Sequence, residues 1–176
     1  VYYGATEQIL IDAHPHIGTN KLPKIIQKIR DTIIKFGGKI YFNTKVVDFV
    51  VTNNTLRTIR LENNDELNVH SVILATGHSA RDIYNLLHKK NITIKAKSFS
   101  MGVRIEHPQQ IIDQIQYNCD ADRDSLLPAA AYSLVNQVND RGVYSFCMCP
   151  GGFIVPAATA AGEVVVNGMS PSKRNN

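Results

Sequence analysis

The sequence contains no run of about 18 uninterrupted apolar residues and no basic start leading into an apolar centre, so neither a membrane-spanning helix nor a secretory leader is expected. Cysteine is scarce. Cys119, Cys147 and Cys149 are odd in number and unevenly placed, which argues against a secreted disulfide framework. The formal net charge is +4, but the basic residues are scattered from Lys21, Lys24, Lys28, Lys35 and Lys39 to Lys89, Lys90, Lys95 and Lys97. No dense basic patch interleaved with aromatics forms, so solvated surface is the better reading and no nucleic-acid partner is expected. A GxGxxG phosphate loop is also missing. These absences leave a soluble, cytosolic chain without a membrane or nucleic-acid partner as the expectation.

With 176 residues, 44% hydrophobic and 19% charged, the chain is long enough to bury a core. It starts at Val1 rather than Met, and its apolar pattern stops before the final SPSKRNN, so it reads as an internal piece of a longer protein.

The stretch around which the rest is organised is Ser71–Asp82, SVILATGHSARD. An apolar strand runs into Ala75, Thr76 and Gly77, and a polar turn with Ser79 opens a helix over Arg81–Lys90 that buries Ile83, Leu86 and Leu87. A strand apolar on both faces suits a buried parallel sheet, and small residues at its end allow a ligand close to the backbone. Taken alone, the same pattern also describes a purely structural turn.

Upstream, Gln8–Leu10 suits a strand or extended arm. The loop His14–Asn20 precedes a helix over Leu22–Phe36, with Thr19 and Asn20 suited to accept hydrogen bonds from its first amides. Pro23 fits the first turn, Gly37 and Gly38 the stop, and Ile25, Ile26, Ile29, Ile33 and Phe36 form a stripe expected to be buried. Strands are expected at Lys39–Phe42, Thr44–Val51, Thr55–Leu61 and Glu66–Val69, with Asn53-Asn54 and Asn63-Asn64-Asp65 turning a meander. Beyond Asn91 the pattern becomes β-rich. Strands are expected at Ile92–Ala96, Phe99–Glu106, Ala129–Val138, Val143–Cys149, Phe153–Ala157 and Glu163–Asn167, with a helix over Gln109–Gln116. Asp140-Arg141-Gly142 reads as a turn, and Tyr117–Pro128, with Asp120, Asp122 and Asp124, as an exposed loop.

Taken together, AHPHIGTNKLPKII, GGKIYFNTKVVDF, VILATGHSARD, GVRIEHPQ and GVYSFCMCPGG resemble the NAD(FAD)-utilizing, FAD-dependent dehydrogenases, two-dinucleotide-type flavoproteins related to the aminoacetone-oxidase-like group. The resemblance spans nearly the whole chain. It implies an α+β fold, an α/β flavoprotein fragment with part of an FAD-binding parallel sheet and a β-meander, followed by a β-rich mixed-sheet substrate domain. The boundary is expected near Asn91, giving residues 1–91 and 92–176. It also implies FAD as cofactor, NAD(P)H as a possible electron donor and a small-molecule substrate. Since the family's phosphate loop is absent, any FAD site here is half a site, and sheet edges left bare are expected to self-associate.

The resemblance suggests that Ala75, Thr76 and Gly77 face the cofactor, that Val46 stands near the adenine, and that Gly151 and Gly152 line the isoalloxazine. An ordinary strand valine and a plain hairpin turn are the simpler readings of Val46 and of Pro150-Gly151-Gly152. His78, beside the cofactor-facing turn, suits proton exchange near neutral pH, and equally suits a polar turn without chemistry. Cys147 and Cys149 share one face of a strand about 6.5–7 Å apart, at the limit for a disulfide. Core packing, a thiol near flavin and metal ligation are the three readings. A zinc site joining this pair to His14 and His16 is conceivable but needs tighter geometry than such distant pairs guarantee, so no metal is expected. Arg104 suits an anionic substrate or an ion pair with Glu106, the latter being favoured.

The favoured function is the middle portion of an FAD-dependent oxidoreductase. The alternative is a non-catalytic module that binds a ligand or partner on a flavoprotein-like scaffold.

Overall fold

The computed structural model describes residues 1–146 and 148–173. Helices and small antiparallel sheets are mixed in it, an α+β arrangement. The chain divides into two compact units, Lys39–Met101, and Val1–Gly38 together with Gly102–Asn176.

In the unit Lys39–Met101, β1 (Val46–Thr52), β2 (Thr55–Leu61) and β3 (Glu66–Asn68) form an antiparallel meander in the order β1-β2-β3. Thr52 pairs with Thr55 across a two-residue turn in which Asn53 and Asn54 have φ of 50° and 58°. Both signs are those of a type I′ turn, whose twist matches that of the flanking strands. Asparagine is one of the few side chains that tolerates this conformation. Asn54→Ala is therefore expected to cost about 1–2 kcal/mol in chemical denaturation, and Asn54→Gly close to nothing.

Helix α2 (Arg81–Lys89) lies against β1, and the buried residues of the unit are Phe49, Thr58, Leu61 and Ile83. Ion pairs fasten both ends of the helix. Lys45 Nζ lies 3.1 Å from Asp82 in its first turn, and Lys90 Nζ at its other end lies 2.7 Å from Asp48 of β1. Exposed pairs of this kind add little stability. Their contribution is orientation, while Phe49 and Ile83 supply the burial.

In the other unit, α1 (Leu22–Lys35) and α3 (Gln109–Tyr117) accompany two antiparallel hairpins, β4 (Val135–Val138) with β5 (Arg141–Tyr144), and β6 (Phe153–Pro156) with β7 (Val166–Met169). Asn91 at φ 57° follows α2, and Asn118 at φ 51° ends α3. Asparagine thus takes the left-handed position that glycine usually fills at a helix end.

Several expectations are corrected. Every ladder among the described residues is antiparallel, so the part of a parallel sheet expected around Ser71–Thr76 is not formed among them. That segment is unpaired and exposed, with Ile73 at 92%. An apolar strand needs hydrogen-bonding neighbours on its edges, and no described segment supplies them. Lys39–Phe42, Ile92–Ala96 and Phe99–Glu106 likewise join no ladder. Gln8–Leu10 lies in a short 3-10 turn, Glu7–Leu10, rather than a strand.

On α1 only Ile25 of the expected stripe is buried, whereas Ile26, Ile33 and Phe36 are exposed. The β4–β5 turn falls at Asn139-Asp140, with φ of 49° and 61°, not at Asp140-Arg141-Gly142. A two-residue I′ turn needs two positive φ values, which Asn and Asp adopt more readily than Arg. Arg141 and Gly142 instead pair with Val138 and Gln137.

Candidate functional site

Three places gather side chains or backbone capable of binding. The first is the turn Ala75–Thr76–Gly77–His78 in the unit Lys39–Met101. All four residues are exposed. Gly77 has φ 77°, and beyond its two neighbours in the chain no atom lies within 4 Å of where a Cβ would stand. The Lys45–Asp82 ion pair ties the start of β1, where Val46 is half-buried, to the helix that follows this turn. Lys45 chiefly, with the amide of Ile83, holds the Asp82 carboxyl below the usual carboxylate range.

The second place is a join between segments more than 150 residues apart in sequence. The loop His16–Asn20 clasps Ser170–Ser172. His16 Nε2 lies 2.8 Å from the carbonyl oxygen of Pro171, and the Thr19 amide donates to the Ser170 carbonyl at 3.0 Å. Asn20 donates through Nδ2 to Ser172 Oγ at 3.1 Å and accepts at Oδ1 from the Ser172 amide at 2.8 Å. Gly18, at φ 94°, makes this possible, since a Cβ there would lie 2.3 Å from the Ser172 nitrogen. Thr19 and Asn20 therefore do not cap α1, as their position suggested. The residue before the helix is Lys21, which makes no side-chain cap, and the Leu22 amide bonds the Gly18 carbonyl.

The Pro150-Gly151-Gly152 turn belongs to the same neighbourhood, because Ser170 Oγ lies 3.4 Å from the Pro150 carbonyl. A Cβ on Gly152 would meet the Cys149 carbonyl at 2.8 Å and the Met169 carbonyl at 2.9 Å, so the chain's own backbone occupies that space. Gly151 has φ 65°. Cys149 is exposed, while Cys147 lies outside the described residues.

The third place went unread in the sequence. Asp113 on α3 is 2% exposed. Its Oδ1 accepts from Gln109 Nε2 and the Ala130 amide, both at 2.8 Å, and its Oδ2 pairs with Arg123. Burial pushes this carboxyl up. The Ala130 amide, Gln109 and Arg123 outweigh it and hold the group below its usual range. Gln109 also donates to the Ala130 carbonyl at 2.9 Å, so both backbone polar groups of Ala130 are fixed. Tyr117–Pro128 is exposed over most of its length, as expected, and is tied down at two points, where Arg123 reaches Asp113 and Tyr117 Oη donates to the Pro128 carbonyl at 2.8 Å. The available signal was the i, i+4 pair Gln109 and Asp113, which placed a carboxylate beside Ile112 on the inward side of a helix. The cleft beside it, about 290 Å³ and lined by Gln109, Gln110, Asp113, Asp122, Arg123 and Ser125, holds none of the residues expected to carry chemistry.

Arg104 and Glu106 do not pair with each other, as favoured above, but clip their segment to one hairpin. Arg104 Nη2 donates to Asn167 Oδ1 at 2.8 Å on β7, and Glu106 accepts from the Ile154 amide at 2.7 Å on β6.

Residues 98–176 match the family model described as FAD-dependent protein, C-terminal domain-like. That match covers somewhat less than half of the chain. The chain is also 40% identical over 174 residues to an uncharacterized protein of Clostridium beijerinckii (strain ATCC 51743 / NCIMB 8052). The alignment covers 98% of this chain and 32% of that protein, so the chain spans about a third of the length of the curated relative it matches. No helix among the described residues is long and apolar enough to cross a membrane.

A flavin nucleotide needs backbone it can approach closely. Gly77 fits that need, having the conformation that excludes most side chains and open space where a side chain would stand. The exposed backbone of Ala75 and Thr76 extends the same surface.

Proposed function

We propose that the chain is the middle portion of an FAD-dependent oxidoreductase of the dehydrogenase kind, contributing part of the flavin site and the substrate-side domain. The family match over residues 98–176 carries this reading. The open Gly77 turn supports it. In the full-length protein residues 1–91 belong to the FAD-binding domain and residues 92–176 to the substrate domain, in the cytoplasm.

When bound, flavin supplies the two-electron chemistry, and protein groups bind, orient and exchange protons. The backbone of Ala75, Thr76 and Gly77 receives the cofactor, with Val46 alongside. His78 is the adjacent group able to exchange a proton near neutral pH. Gly151 and Gly152 form the turn on the substrate side, with Cys147 and Cys149 leading into it as the thiols available to the reaction. The substrate is a small molecule, and NAD(P)H is the electron donor. The bare edge of Ser71–Thr76 gives a fragment lacking its flanking chain a tendency to self-associate.

Anaerobic addition of NADH and then NADPH to the full-length protein tests the reading. Bleaching of the flavin absorption by one of them is the expected result. A protein without bound flavin would overturn the proposal, and a bound flavin that neither nucleotide reduces would favour the non-catalytic binding module.

A further inference from the structure

Helix α1 carries apolar and charged side chains on opposite lines. At the pitch of an α-helix, Leu22, Ile26 and Ile33 fall within about 40° of one another along about 16 Å of its length, and each is about half exposed. Lys24, Lys28 and Lys35 fall within about 40° of one another on the far side, and they are exposed as well. Ile25 is the buried residue of the helix. A helix patterned in this way turns its apolar line to a neighbour and its lysines to water, yet here the apolar line stays half open.

The amount of open surface decides between the possible covers. The chain exposes 14754 Å², whereas a folded chain of 176 residues exposes about 8,500 Å². Even two separate bodies with the lengths of the two compact units would expose only about 10,000 Å² together. The excess is therefore more than about 4,000 Å². A standard interface covers about 800 Å² on each partner and a large obligate dimer about 2,500 Å², so a second copy is too small a cover. A membrane surface would meet the apolar face of one amphipathic helix. It would leave the excess unexplained, since both units share it, with Ile73 in one and Val103 and Val164 in the other almost fully open. Further polypeptide of the same protein is large enough, for this chain covers only 32% of the curated relative that aligns with it.

We propose that the line Leu22, Ile26 and Ile33 of α1 is an intramolecular docking face, covered in the full-length protein by an apolar surface of the polypeptide outside these 176 residues. The lysine line on the far side stays in water. The inference makes no use of the flavin reading and stands or falls apart from it.

The test places an aliphatic diazirine amino acid of leucine's size at Ile26 and, in separate samples, at Ile33 and at Lys35 of the full-length protein. The replacement adds no bulk to the apolar line, so folding is kept. After irradiation, cross-linked peptides are mapped by mass spectrometry. The expected result is cross-links from Ile26 and Ile33 to peptides outside these 176 residues, at the mass of one polypeptide, with Lys35 quenched by water. Cross-links confined to these 176 residues, products of doubled mass, or quenching at Ile26 and Ile33 as at Lys35 overturn the inference. Lipid adducts at Ile26 and Ile33 in the presence of anionic phospholipid vesicles overturn it too, and make the line a membrane face.

Discussion

Gly18→Ala is expected to open the join between the His16–Asn20 loop and Ser170–Ser172. At φ 94° an added Cβ would stand 2.3 Å from the Ser172 nitrogen and 2.4 Å from its Cα, both backbone atoms that cannot turn aside. Either the loop or the Ser170–Ser172 segment has to move. Displacement breaks the contacts of His16 with Pro171, Thr19 with Ser170 and Asn20 with Ser172. Left-handed strain costs about 1–2 kcal/mol, and each lost hydrogen bond roughly 1 kcal/mol. The expected loss is therefore about 5–6 kcal/mol in chemical denaturation, with new protease sensitivity near Ser170. Gly162→Ala is the control. Its φ of 79° is similar but nothing lies near its Cβ position, so only the strain should register. Equal effects at the two sites would show that the clasp contributes nothing.

Asp113→Asn should be the most damaging change on α3. The asparagine fits the space but leaves Arg123 without its anion, and breaking a buried pair from one side is strongly destabilising. A drop in melting temperature of roughly 10 °C is expected. The acid behaviour of the wild type follows from the same contacts. Asp113 is depressed in the folded state, so its contribution is fully present above the unfolded carboxylate value and lost as pH falls through the lower folded value. Stability of this unit should thus decline below roughly pH 4, and Asp113→Asn should flatten that decline. An identical acid limb in both proteins would remove Asp113 from the account.

What the sequence made legible was local. The helix at Leu22, the strand Thr55–Leu61 and the Asn53-Asn54 turn are set by residues within a few positions of one another, and the structure shows them. Segments whose structure depends on distant partners were harder to read. Ser71–Thr76 has the composition of a central strand, yet no described segment pairs with it, so its apolar pattern is unused here. The stripe on α1 is similar, for Ile26 and Ile33 have the right spacing but remain about half exposed. Thr19 and Asn20 had capping chemistry, and a segment 150 residues away took their hydrogen bonds instead. Asp113 was missed because a lone carboxylate in a helix pattern reads as surface until Ala130 and Arg123 are seen to converge on it. The turn at Gly77 was legible from the small residues that end an apolar run, whereas Tyr132 and His107 meet only through folding.

The central claim is that the Gly77 turn receives a flavin. Its most direct test is the flavin content of the purified full-length protein, read from its visible absorption, beside that of Gly77→Val and Gly162→Val. Both substitutions place a β-branched residue at a positive φ in open space, so their effects on folding should match. One flavin per polypeptide in the wild type and in Gly162→Val, with little or none in Gly77→Val, is the predicted result. A wild type without flavin, or a Gly77→Val protein that retains it fully, would contradict the claim.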